Sequence, residues 1–235
     1  MFAAQSLDFL KVSQSTNGYR FSIDPILLSS FAPTTPTCRI LDLGTGSGII
    51  PLILAGRGRG RVFTGIELQP EMAQRARESV AANGFDGQIE ILCGDVRRIR
   101  ELIPPQSYDL VLTNPPYRKP GTGRIAPNDE RAMARHEIAG GLTDFLSAAA
   151  WALGDGGRFC IVYLPERLPE LLARMQEVRV EPKRLRMVHS RIGDDACLVL
   201  VEGRKGGRPG LAVERPLVLY EGEAFSAEVL AMYNG

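Results

Sequence analysis

From residue 39 onward, short runs of branched aliphatic residues alternate with longer segments whose apolar positions recur every three or four residues. The short runs predict strands at 39–44 (RILDLG), 61–68 (RVFTGIEL), 88–95 (QIEILCGD), 108–113 (YDLVLT), 157–164 (GRFCIVYL), 183–190 (KRLRMVHS) and 196–203 (ACLVLVEG). Helices fit between them at 47–56, 70–83, 96–102, 142–153 and 165–178, with Pro70 at a first helical position and Asn83-Gly84 as a stop. Successive strand-helix units of this kind build a parallel sheet covered on both faces. Only the turn RIGDDA joins the last two strands, too little for a crossover, so they pair antiparallel. The expected fold is a Rossmann-like α/β architecture: a seven-stranded, mostly parallel sheet with its last strand antiparallel.

Ahead of the sheet, FLKVSQSTNGYRFSIDPILLSSF reads as a hairpin turning at Asn17-Gly18, then a helix with Asp24 as N-cap and Pro25 at its first position. Residues 115–140, rich in Pro, Gly and Arg, form a connection of a length that is usually functional or disordered. At 235 residues the chain fits a single domain, divided into an N-terminal hairpin and helix (1–32), a core (37–204) and a C-terminal extension (205–235).

Composition narrows the class. The chain is 44% hydrophobic and 23% charged, which argues against disorder and against a fibre. The N-terminus lacks a basic region followed by an apolar one, and the longest apolar runs are too short for a bilayer, so a cytoplasmic protein is expected. Cys38, Cys93, Cys160 and Cys197 are widely spaced with only two histidines to assist them, so they read as small buried hydrophobes and no metal site is expected.

Candidate chemistry begins at ILDLGTGSGI, where Gly44, Gly46 and Gly48 make a tight turn between a strand and a helix. Glu67 ends the second strand, placed to accept from both hydroxyls of a ribose. A nicotinamide dinucleotide loop needs a third glycine where Ile49 stands, and the G-x-G-x-G spacing found here favours S-adenosylmethionine. Asp42, inside the first strand, needs donors to be tolerated; loop amides and a ligand ammonium group are candidates, and holding the loop is the alternative. Asp95, closing the third strand, is placed to accept from an adenine amino group or to cap the helix that follows. Thr45, Leu68 and Val96, their neighbours, together with Asn114 at the end of the fourth strand, complete the candidate cofactor set.

The stretch VLTNPPYRKP places an amide, two prolines and a ring at the end of the fourth strand. Pro115 biases Asn114 away from helical geometry, and neither Pro115 nor Pro116 has an amide hydrogen to occupy nearby carbonyls. The Asn114 amide oxygen and the Pro115 carbonyl can together accept both hydrogens of one planar amine, which aims its lone pair at a methyl donor. Tyr117 supplies a ring for stacking a base.

DLGTGSGIIPLIL, GIEL, CGD and NPPY resemble motifs I to IV of class I amino methyltransferases. FSIDPILLSSF, NPPYRKP, YLPERLPELLARM and EPKRLRMVH further resemble the bacterial tRNA1(Val) adenine-37 N6-methyltransferase group, over nearly the whole chain. The resemblance implies that Asp42, Gly44, Gly46, Gly48, Glu67 and Asp95 hold S-adenosylmethionine, that Asn114, Pro115 and Tyr117 hold the target base, and that Asp24 and the hairpin before it close over the cofactor.

The amino motif does not choose the amine: adenine in tRNA, adenine in another RNA and a protein glutamine share it. No separate recognition module for DNA is left over, which favours structured RNA read through unpaired bases. Arg118, Lys119, Arg124, Arg135, Lys183 and Arg184 are candidate phosphate contacts. Between 179 and 208 basic residues outnumber acidic ones, which reads either as an RNA surface or as an ordinary solvated face. Arg135, His136 and Glu137 read as a salt-bridge cluster or as an RNA contact. A module that binds the cofactor without turnover is the rival outside enzymology, and the intact Asn114–Tyr117 cradle speaks against it.

Overall fold

The computed structural model describes residues 10–11, 22–115 and 141–234. Seven main strands form where the aliphatic runs predict them: β1 (Arg39–Leu43), β2 (Val62–Glu67), β3 (Ile89–Cys93), β4 (Tyr108–Thr113), β5 (Leu153–Tyr163), β6 (Val180–His189) and β7 (Ala196–Lys205). The order across the sheet is β3-β2-β1-β4-β5-β7-β6, with β7 antiparallel to both its neighbours. The expected count of seven is corrected to nine. β8 (Ala212–Val213) and β9 (Leu217–Val218) both pair in parallel with the outer edge of β6. Each has two residues, too few to show an alternating pattern in sequence. A separate hairpin of β10 (Tyr220–Glu221) and β11 (Ala224–Phe225) precedes the last helix.

Among the described residues the helices are α1 (Asp24–Phe31), α2 (Ile49–Gly56), α3 (Pro70–Ala82), α4 (Ile99–Leu102), α5 (Leu142–Ala152), α6 (Leu168–Glu177) and α7 (Ala227–Asn234), with 3-10 turns at Val96–Arg98 and Pro165–Arg167. Two apolar layers cover the sheet. Ile40, Leu110, Leu112 and Val162 pack with α1, α2, α3 and α7 on one face. Leu41, Leu43, Val111, Phe159 and Ile161 pack with α4, α5 and α6 on the other. This odd-even division is the strand period, and it places Asp42 on the face of α1 and α2. Helix α2 (IIPLILAG) buries every residue from Ile49 to Ala55, as a helix apolar all round must, and its Pro51 lies in the first turn, where the missing N–H has no intrahelical partner.

One start signal shifts. The Ile23 carbonyl accepts from Ile26 N and Leu27 N at 3.0 and 3.1 Å, which closes the first turn of α1 one residue early. Asp24 is therefore the first helical residue instead of the N-cap, with its acid at the positive end of the helix. The predicted hairpin at Asn17-Gly18 lies outside the described residues.

Candidate functional site

The sheet order reverses between β1 and β4, and the carboxyl ends of strands at such a reversal are where α/β folds bind ligands. Registers Leu43↔Ile66, Leu43↔Thr113 and Glu67↔Cys93 put the ends of β1, β2, β3 and β4 along one edge. Gly44 to Gly48, Glu67 and Leu68, Asp95 and Val96, and Asn114 and Pro115 therefore line a single rim.

The turn after β1 is held from several sides. Gly44 N and Thr45 N both donate to the Ile66 carbonyl at 2.9 Å. Gly44, Gly46 and Gly48 have φ of 72°, 59° and 77°, a region that side chains disfavour. A Cβ at Gly44 would also lie 3.2 Å from the Phe145 ring of α5, a tight approach that the ring would have to yield to. The Thr113 hydroxyl donates to the Leu43 carbonyl at 2.8 Å and ties the end of β4, just before Asn114, to the end of β1.

Three acids stand on this rim in different states. The Glu67 carboxylate accepts from Gly46 N and Gln69 N, both at 2.9 Å, and so braces the glycine turn. Asp42 is buried at 1% exposure; its Oδ2 accepts from the Thr45 hydroxyl at 2.7 Å, while its Oδ1 is buried and has no partner among the described residues. Burial pushes its carboxyl up to about 7; the Thr45 bond opposes the rise and the Glu67 charge adds to it. Asp95 caps the 3-10 turn by accepting from Arg97 N at 2.9 Å, and it also binds the Arg97 guanidinium, whose Nε lies 3.0 and 2.9 Å from its two oxygens. The Arg97 side chain holds the Asp95 carboxyl below the usual range. The capping alternative for Asp95 is thus realised in the structure.

A bound cofactor fits what these residues present. An uncompensated buried carboxylate oxygen costs about 1–3 kcal/mol or more, and a cationic donor from a ligand would offset that cost. Leu68 is half-buried beside Glu67, Val96 is buried under Asp95, and Asn114 is half-buried next to a buried Pro115. Pro116, Tyr117, Arg118, Lys119, Arg124, Arg135, His136 and Glu137 lie outside the described residues.

The basic residues near the C-terminus are bonded within the chain. Arg184 bonds Glu202 at 2.7 Å, Glu214 at 3.0 Å and the Phe31 carbonyl, and its guanidinium stacks 3.9 Å over the Phe31 ring. Lys183 Nζ donates to the Arg208 carbonyl at 3.0 Å. Arg186 is tied to the Arg215 carbonyl and Glu228, and Lys205 donates to the Ala150 and Leu153 carbonyls. These groups fasten the C-terminal extension and the ends of α1 and α5.

Sequence reading missed Thr113, Phe145 and the guanidinium of Arg97. Gly65 carried one usable signal: a glycine inside a strand marks close approach, and a Cβ there would lie 2.8 Å from both Ile91 and Thr45. A shallow depression lined by Thr34, Cys38, Tyr108, Asp109 and Arg158 lies at the opposite, amino-terminal edge of the sheet, away from every residue of the rim.

The family model described as "Methyltransferase domain" matches residues 40–119, which hold the glycine turn, all three acids and Asn114-Pro115. A Porphyromonas gingivalis protein named tRNA1(Val) (adenine(37)-N6)-methyltransferase is 34% identical over 194 residues, spanning 74% of this chain and 75% of its own. An Aeromonas salmonicida protein of the same name is 33% identical across 76% of this chain and 73% of its own. Among solved structures, an Agrobacterium tumefaciens protein described as a predicted O-methyltransferase superposes with a TM-score of 0.73 at 29% identity, covering 90% of this chain and 95% of that one. The sheet order, the glycine turn and these matches agree: the chain is a methyltransferase and belongs to the tRNA1(Val) (adenine(37)-N6)-methyltransferase family.

Proposed function

We propose that this enzyme transfers a methyl group from S-adenosylmethionine to the exocyclic amine of an adenine in tRNA, at position 37 of the tRNA1(Val) anticodon loop, in the cytoplasm. The observation that carries the reading is the partnerless, buried Oδ1 of Asp42 beside a turn of left-handed glycines, on the same rim as Asn114-Pro115. In this reading Asp42 Oδ1 accepts from the cofactor's ammonium group, Glu67 faces the ribose and Asp95 the adenine amine. Gly44, Gly46 and Gly48 let backbone approach the ligand, Thr45 orients Asp42, and Leu68 and Val96 supply apolar walls. Asp24, at the first turn of α1, belongs to the side that covers it.

When bound, the cofactor supplies an activated methyl on a good leaving group, so the chain's own task is positioning and electrostatic preorganisation. The Asn114 amide oxygen and the Pro115 carbonyl accept the two amine hydrogens, which localises the nitrogen lone pair and aims it along the rim. Tyr117 stacks on the target base. Arg118, Lys119, Arg124 and Arg135 neutralise nearby phosphates, so RNA affinity falls steeply with salt. An oxygen acceptor, as the description of the Agrobacterium protein names, has no use for two acceptors converging on one amine.

The test is methyl transfer from labelled S-adenosylmethionine to unmodified total tRNA by the wild type and by Asn114→Ala, with mass spectrometry of the digested nucleosides. N6-methyladenosine with the wild type, reduced about 100-fold or more in the variant, is expected. Label on a protein glutamine, or none on tRNA, overturns the substrate and leaves the fold standing.

A further inference from the structure

The carboxylate assigned to the adenine amine already has partners within the chain. Asp95 accepts from its own cap, Arg97 N, and from two nitrogens of the Arg97 guanidinium. A carboxylate offers about four acceptor sites, so an arriving amino group takes one that the guanidinium holds. The cap does not depend on which side chain stands at 97, because it uses the backbone N–H. Asp95 therefore stays oriented when the guanidinium leaves.

Where that guanidinium can go is also visible. The Arg97 side chain is 45% exposed on the rim. A second carboxylate, Asp144, attracts it from the first turn of α5, which packs on the 3-10 turn and directly follows residues 116–140. Arg98, its neighbour, is more exposed still and is paired with Glu101. The rim between Asp95 and the start of α5 thus presents two arginines, one of which is held in place by the cofactor-binding acid itself.

We propose that Arg97 is a hand-over residue: before the cofactor binds it occupies Asp95, and adenine binding releases it to contact an RNA phosphate. Cofactor and RNA then bind with positive coupling, each favouring the other, without a rearrangement of the fold. Coupling of this kind is reciprocal by thermodynamic necessity. An exposed ion pair is weak, which sets the coupling at about three- to tenfold, the low end for linked sites. This inference rests on the reading of Asp95 and of RNA given above.

The experiment uses the full-length wild type and Arg97→Met. Calorimetry gives the affinity for S-adenosylhomocysteine, and fluorescence anisotropy gives the affinity for an unmodified tRNA1(Val) transcript, with and without saturating S-adenosylhomocysteine. The wild type is expected to bind RNA about three- to tenfold more tightly when the cofactor product is present. Arg97→Met is expected to bind S-adenosylhomocysteine more tightly by a similar factor, because its competitor is gone, and to bind RNA with an affinity the cofactor product no longer changes. Weaker or unchanged cofactor affinity in the variant overturns the hand-over, as does RNA coupling that survives the substitution. A wild type that binds both ligands without coupling overturns the hand-over and leaves the proposed function intact; a wild type that binds neither overturns both.

Discussion

Two buried carboxylates, Asp42 and Glu202, are 1% and 3% exposed, yet they are treated in opposite ways. Glu202, on β7, has both oxygens filled, one by Arg158 at 2.5 Å and one by Arg184 at 2.7 Å. Asp42, at the end of β1, has one oxygen on Thr45 and the other without a partner among the described residues. A charge compensated within the chain is part of the architecture. A charge left one donor short, on the rim where α/β folds take ligands, marks a place that something else completes.

The largest expected effect breaks the completed network. Glu202→Ala leaves two guanidinium groups, on the strands either side of β7, without their shared carboxylate and should lower unfolding stability by about 2–4 kcal/mol, somewhat under the usual cost of breaking a buried pair because the Arg158 side chain is 48% exposed. Chemical denaturation measures it; a loss below about 1 kcal/mol would place Glu202 outside the framework.

Asp42→Asn should act the other way, weakening cofactor binding by about 10- to 50-fold while stabilising the cofactor-free protein. The sign follows from the raised carboxyl. Its folded value of about 7 lies above its ordinary 3.8, so the folded protein takes up a proton between them. The stability that Asp42 contributes therefore falls as pH rises from about 4 to about 7, by an amount on the order of 3 kcal/mol. The asparagine variant should lose that slope in melting curves taken across this range. Cofactor affinity in the wild type should rise with pH through about 7 as the acceptor ionises, and level off above it.

Smaller effects sharpen the contrast. Arg184→Lys keeps the charge but loses the planar fork and the stacking on Phe31, which should cost about 1–2 kcal/mol of stability and leave RNA affinity unchanged. A drop in RNA affinity with stability intact would return Arg184 to the phosphate contacts. Arg158→Ala, a half-exposed partner, should cost about 1 kcal/mol or less, since Arg184 still holds Glu202.

Much of this was legible beforehand. All seven main strands were readable because each is a run of five or more residues carrying the strand signature. The antiparallel pairing of β6 and β7 followed from the shortness of RIGDDA alone. The glycine turn and the acids at the strand ends were readable because their spacing is local. The two-residue strands β8 and β9 were not, since they exist only by pairing with the edge of β6. The partners of the basic residues between 179 and 208 were hidden for a related reason: composition counts charges but not what they bond to, and Arg184 finds one partner at Phe31, 153 residues away.

The sequence by itself determined the order of elements, the left-handed turn after β1 and the chemical groups that stand at the strand ends, because each depends on residues within a few positions of one another. Only the tertiary structure decided which of those groups is satisfied. Burial and hydrogen bonding are set by chain segments brought together from far apart, and so Glu202 became a closed ion-pair network while Asp42, of the same charge, kept an oxygen open.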